Sequence, residues 1–317
     1  MDIPKPGFEI GACEEMLFVG SCFADSIGQR FREEGFPVTV NPYGTMYNPA
    51  SVLHTIQRWV AESSVNEVAE PGRSSATTAK SIPTTVFLTL GTNRVYRLKE
   101  TGEIVDNCEK RPQALFCEED LTVEACADYL SQAIALLRQM NPDVRIVLTV
   151  SPIRYRKYGY HGSQLSKATL LLAVDRVVTS QTSRTSQTSR TSRTSRTSQT
   201  SQTSRTSSTS DTSSTSQACV YFPAYEIVND ELRDYRFYAS DMLHPSEQAV
   251  EYIWERLVET CFSPQAKAFI EEWRPLKQAL GHKPFDPDAP ETLRFQEQTR
   301  QRLKAFKEKY PALKEER

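Results

Sequence analysis

Leu17-Phe18-Val19-Gly20-Ser21-Cys22-Phe23-Ala24 runs from a short apolar stretch through a glycine and a serine into a segment with helical spacing. In that segment Phe23, Ile27 and Phe31 recur every four residues. A turn of this kind sets the serine at the carboxyl end of a strand and the amino end of a helix, where its hydroxyl faces a crevice. Far along the chain stands Asp241-Met242-Leu243-His244-Pro245, an acid three residues before one of only four histidines. Ser21, Asp241 and His244 are the side-chain types of a nucleophilic triad, provided the intervening chain brings them together.

Strand-like and helix-like segments alternate between these two motifs. Pro37–Val40 is a short strand, followed by a loop and a helix from about Ala50 to Ala61. Thr85–Leu90 and Val144–Val150 are apolar strands, with a helix over Val123–Met140 between them. A helix over Gln164–Val178, a strand at Cys219–Phe222 and a helix carrying Val250, Ile253, Trp254, Leu257 and Val258 complete the pattern. Five strands alternating with helices predict an α/β fold, a parallel sheet covered on both faces. In such a sheet the strand-to-helix loops share the carboxyl edge, where ligands bind. Ser21 follows the first strand, Gly44 the second, Asn93 the third, and Ser151 and Arg154 the fourth, while Asp241 and His244 precede the last helix. Every polar candidate falls on one edge.

Composition limits the alternatives. Of 317 residues, 38% are hydrophobic, enough for a core once a polar insert is set aside. A net charge of −2 argues against a general nucleic-acid partner. Seven cysteines, odd in number and without CxxC pairs or Cys/His clusters, read as free thiols in a reducing compartment and not as a metal site. No secretory leader is evident and no apolar run is long enough to span a bilayer, so the expectation is a cytoplasmic protein without a membrane partner. Nothing in the pattern calls for a cofactor.

Residues 179–217 are almost entirely Thr-Ser-X triplets. Such composition buries no apolar surface and is expected to be disordered, an insert tolerated on the edge opposite the chemistry. Residues 263–317 read as a helical extension, first amphipathic through Ile270, Trp273, Leu276 and Leu280, then broken by Pro284, Pro287 and Pro290, then a charged helix to about Lys309. It is expected to pack on the main domain or to form a homo-oligomer contact.

At the site, His244 held by Asp241 would accept the Ser21 proton. The Ser21 N–H at a helix amino end and the Gly44 N–H are the expected oxyanion donors. Cys22 is a second nucleophile candidate, but its side chain is expected to turn into the helix. His54 and His161 read as surface or loop residues. Lys167 and the Arg154/Arg156/Lys157 cluster read as a solvated rim or as contacts to an anionic substrate.

Gly20-Ser21-Cys22-Phe23-Ala24 resembles the motif for which the GSCFA family is named. Resemblance to that family extends through Asn41–Pro49, Leu90-Gly91-Thr92, Asn107-Cys108, Ser151-Pro152, Gln164–Leu170, Tyr225-Glu226-Ile227 and Asp241–Ser246, covering roughly residues 8–262. The family looks related to the SGNH (GDSL-like) hydrolases, which implies a three-layer α/β/α, flavodoxin-like fold. It also implies Ser21 as nucleophile, His244 as base, Asp241 as orienter and Gly44 as oxyanion donor. Asn93, through Gly91, fits the Gly-x-Asn oxyanion block of the wider superfamily, with Asn48 as the alternative. The chain departs from the family pattern over residues 62–84, which are short and rich in Ser, Ala, Glu and Thr. The expectation is a cofactor-free serine esterase acting on a small-molecule or glycan ester. An acyltransferase and a non-catalytic binding protein are the alternatives.

Overall fold

The computed structural model describes residues 1–65, 82–106, 108, 111–194 and 219–311. Residues 66–81, Asn107 and the Thr-Ser-X triplets from 195 onward lie outside the described residues. Five parallel strands form the main sheet: β1 (Met16–Gly20), β2 (Val38–Val40), β3 (Thr85–Leu90), β7 (Arg145–Val150) and β8 (Cys219–Tyr221). Their spatial order is β2-β1-β3-β7-β8, the flavodoxin-like arrangement in which the connection reverses direction beside β1. The register pairs Gly20 with Thr89 and Thr89 with Thr149, so three strand ends finish level at one edge.

Because side chains alternate across a strand, each strand feeds two cores. Leu17 and Val19, with Leu88 and Leu148, face α2 (Pro49–Val65), α3 (Val123–Met140) and α4 (Gly159–Thr194). Met16 and Phe18, with Phe87 and Val147, face α1 (Cys22–Glu33) and α6 (Glu247–Cys261). The first core is mainly aliphatic. The second is aromatic and centred on Phe31, whose ring lies 5.0 Å from Phe18 and 4.8 Å from Trp254. Removing the Phe31 ring would cost about 3–5 kcal/mol, since it is fully buried among other aromatic rings.

Two features depart from expectation. A second, antiparallel sheet of three short strands, β4 (Arg94–Leu98), β5 (Ile104–Val105) and β6 (Phe116–Asp120), rises from the end of β3. Arg94 pairs across it with Asp120 at 2.8 Å. Alternating Arg94-Val95-Tyr96-Arg97-Leu98 and the turn at Gly102 were its sequence signals. Second, α4 continues to Thr194, so the backbone of the first Thr-Ser-X triplets is helical and not disordered. Helix propagation from the packed face around Leu170, Val174 and Val177 accounts for this.

A short helical turn, α5 (Ala224–Glu226), leads into a π-helix over Ile227–Leu232. The extension forms α7 (Pro264–Leu280) and α8 (Pro290–Lys309). It packs on its own chain: Phe269 is fully buried, Trp273 Nε1–H donates to the Glu33 carbonyl at 2.9 Å, and Phe306 sits 5.3 Å from Phe269. Among the described residues, no helix is long and apolar enough to cross a membrane.

Candidate active site

The turn after β1 is fixed by close approach. Gly20 adopts φ 148°, and a Cβ there would overlap the Thr89 carbonyl oxygen of β3. Its N–H donates to Asn41 Oδ1 at 2.9 Å and its carbonyl accepts from Met46 N–H at 2.8 Å, which docks the Asn41–Pro49 loop on the turn.

Ser21 is wholly buried. Its Oγ accepts from Phe23 N–H at 3.3 Å, capping α1, and lies 3.4 Å from Thr89 Oγ1. Its own N–H donates to the Thr89 carbonyl at 3.0 Å and reaches Thr89 Oγ1 at 3.1 Å. Among the described residues no hydrogen bond joins Ser21 to His244. Cys22, one residue on, packs partly against the aromatic core, as expected, but its side chain also reaches the surface. It lines a groove of about 540 Å³ together with Tyr47, Arg154, Tyr155, Leu243 and His244, with Sγ 3.6 Å from the Tyr47 hydroxyl.

The Asp241–His244 loop is a self-contained device. Asp241 Oδ1 accepts the N–H groups of Leu243 and His244 at 2.8 and 3.0 Å, and Met242 takes φ 59° to make the turn. Asp241 Oδ2 lies 2.5 Å from His244 Nδ1. The His244 N–H and ring, then the Leu243 N–H, hold the Asp241 carboxyl well below the usual carboxylate range. A carboxylate can only accept, so Nδ1 carries a proton and Nε2 is the basic ring nitrogen. The Leu243 carbonyl accepts from Arg154 N–H at 3.1 Å, tying this loop to the segment after β7.

The expected oxyanion donors are engaged elsewhere. Besides the Ser21 N–H, the Gly44 N–H donates to the Asn41 carbonyl at 2.9 Å, closing the turn that gives Gly44 its φ of 95°. Asn93 Nδ2 donates to the Leu121 carbonyl at 2.8 Å, anchoring the start of the small sheet. Lys167 is not a residue of a solvated rim. It is buried, and its Nζ donates to the carbonyls of Gly91 and Ser151 at 2.6 and 2.7 Å, joining the ends of β3 and β7. Burial pushes its amine down to about 7.

Arg154 does line the groove, its guanidinium stacked 4.3 Å from the Tyr238 ring centre and unpaired with any acid among the described residues. Asn48 caps α2 through Oδ1, which accepts from Ser51 N–H at 2.9 Å. It lines a second cavity of about 540 Å³ beneath the small sheet, with Arg94, Tyr96, Arg111 and Phe116. Tyr47, Tyr155 and Lys157 line both spaces, so they adjoin. Sequence reasoning missed Tyr155. Its hydroxyl is buried without a hydrogen-bond partner, and burial pushes its ionisation well up. Gly91 makes room for that hydroxyl, since a Cβ there would overlap it. His54, expected at the surface, is half-buried on α2 and pairs with Asp106 at 2.8 Å beside the second cavity. Among the described residues no group of three or more His, Cys, Asp or Glu is placed to hold a metal ion.

The model of the GSCFA family matches residues 15–75, 72–186 and 190–257. This chain belongs to the GSCFA family. The model of the GSCFA domain protein, C-terminal domain, matches residues 273–317. No curated protein matches the chain. Among solved structures, the chain is similar to a mutant acetyl esterase with acetate ion, at 11% identity and a TM-score of 0.39, covering 82% of this chain and 99% of that one. It is similar to the same degree to a carbohydrate esterase family 3 protein from Talaromyces cellulolyticus, with 11% identity, TM-score 0.39 and the same coverages. Likeness at that level carries no argument about chemistry.

Proposed function

We propose that this GSCFA protein is an acyl-ester hydrolase or acyltransferase that works in the groove between the Gly20–Cys22 turn and the Asp241–His244 loop. The observation that carries this reading is the Asp241–His244 pair. A carboxylate held ionised by two backbone N–H groups orients an imidazole whose basic nitrogen is free to take a proton in an open groove. The turn at the carboxyl edge of β1 supplies the nucleophile, and the adjoining cavity receives the body of the ester. Its lining of tyrosines, Phe116 and arginines suits an alcohol or acyl portion with both rings and polar groups, a carbohydrate ester among them. Water as the acceptor gives hydrolysis and an alcohol gives transfer.

A panel of chromogenic acyl esters of increasing chain length tests the reading. Turnover of the short acyl esters, lost by at least about 100-fold in His244→Ala with the far-UV circular dichroism unchanged, is the expected result. Turnover indifferent to His244, or none with any ester, would overturn it. The engagement of Ser21, Gly44 and Asn93 favours a second reading, a binding protein without turnover, which predicts ligand-induced stabilisation of a protein inert toward every ester.

A further inference from the structure

We infer that Cys22, not Ser21, is the nucleophile, its thiol activated by His244. This rests on the acyl-transfer reading and names the atom that performs it.

Both residues follow the same glycine, but the fold gives them opposite surroundings. Ser21 has no exposed surface, and both its hydroxyl and its N–H are tied to Phe23 and Thr89. Using that hydroxyl would uncap α1 and loosen the β1–β3 clamp. The Cys22 side chain stands at the groove wall that also carries His244 and Leu243. The chemistry of the remaining thiols sets it apart. Cys126 and Cys219 are buried in the aliphatic core, and burial pushes both up to about 12. Cys117 is exposed on β6 and lines neither cavity. Cys108 lines the second cavity beside Asp106, but the His54 imidazole that Asp106 holds is not in that lining, whereas Cys22 and the carboxylate-held His244 line one groove.

The oxyanion donor follows from the same change of atom. The N–H of Cys22 lies in the first turn of α1, where no intrahelical acceptor exists, and it is given to no acceptor among the described residues. The helix amino end adds favourable partial charge there. Tyr155 lines the same groove through its ring, while its hydroxyl is packed beneath the surface against Gly91.

In the first half of the reaction His244 Nε2 takes the Cys22 proton as the sulfur attacks the ester carbonyl carbon. The carbon–sulfur bond forms, and the carbonyl π pair moves onto oxygen, facing the Cys22 N–H. Collapse breaks the carbon–oxygen bond. The leaving alkoxide takes the proton from the imidazolium and a thioester remains on Cys22. In the second half His244 takes a proton from water, whose oxygen adds to the thioester carbonyl. The thiolate leaves, the acid departs, and the imidazolium returns the proton to sulfur.

The full-length protein is mixed with a chromogenic acetyl ester, quenched in acid and mapped by fragmentation mass spectrometry. In parallel, iodoacetamide alkylation of Cys22 is timed against Cys117 in wild type and in His244→Ala. The expected results are an acetyl group on Cys22 that neutral hydroxylamine removes, as it does thioesters but not oxygen esters, and Cys22 alkylation at least 10-fold slower in His244→Ala. Cys22→Ala should lose the adduct and at least 100-fold in turnover, while its thermal midpoint reports that it is folded. A hydroxylamine-resistant acetyl group on Ser21, with His244-dependent turnover, overturns the thiol assignment and leaves the acyl-transfer reading standing. Cys22 alkylation no faster than that of Cys117 and indifferent to His244 also overturns it. Fast, His244-dependent alkylation without turnover of any ester supports the thiol–imidazole pair and overturns the acyl-transfer reading.

Discussion

The two halves of the candidate site are built by opposite means. The Gly20–Cys22 turn is made by the sheet: Gly20 and Ser21 are locked against Thr89 of the neighbouring strand, and Ser21 has no exposure at all. The Asp241–His244 loop is made by itself, from one carboxylate that gathers two N–H groups and a ring nitrogen, with both side chains 44% exposed. The turn therefore depends on a neighbouring strand, whereas the bonds that orient the ring lie within four consecutive residues. Damage to Gly20 or Ser21 should appear as lost stability, and damage to the loop as lost chemistry with stability kept.

Asp241→Asn breaks the comparison most sharply. The amide oxygen can still accept from Leu243 and His244, so the loop survives, but the amide nitrogen no longer holds Nδ1–H. Turnover of a chromogenic acetyl ester should fall roughly 10⁴-fold, with the thermal midpoint shifted by no more than ~2 °C. The next effect belongs to the sheet edge. Lys167 has an unfolded value near 10.5 and a folded value of about 7. The unfolded chain therefore binds a proton that the folded chain does not, and stability should rise with pH across that window, by up to about 5 kcal/mol. Urea unfolding at pH 7 and pH 10 should show this rise in wild type and lose it in Lys167→Met.

Gly20→Ala tests the turn itself. A Cβ pressed onto the Thr89 carbonyl at φ 148° should cost about 3 kcal/mol or more, read as a lower urea midpoint. Wild-type stability in that variant would show that β1 and β3 can separate at their ends. The smallest effect is at Ser246, whose Oγ accepts from Ala249 N–H at 3.2 Å and caps α6 just after the loop. Ser246→Ala should lose about 1 kcal/mol while leaving ester turnover within a few-fold.

Much of the scaffold was legible in the chain. The helix over Val123–Met140 and the strand over Thr85–Leu90 were readable because a long periodic pattern or a continuous apolar run has one low-energy use. Asp241 and His244 were readable as a pair because their bond is local, within one turn of chain. Lys167 was not readable: only the fold shows that it lies beneath the surface and joins the ends of two strands. The small sheet of β4, β5 and β6 was missed because its strands are short and mostly exposed, so charged residues in cross-strand ion pairs dilute its alternation.

By itself the sequence determined that strands alternate with helices, that the Gly20-Ser21-Cys22 turn and the Asp241–His244 loop share the carboxyl edge, and that the acid orients the imidazole. These follow from patterns a few residues long. Which of two adjacent side chains faces the groove was decided only in three dimensions. Thr89, far away in sequence, takes both polar groups of Ser21 and leaves the neighbouring thiol beside Tyr155 and His244. The partners that claim a hydroxyl or expose a sulfur arrive from other strands, and no local pattern records them.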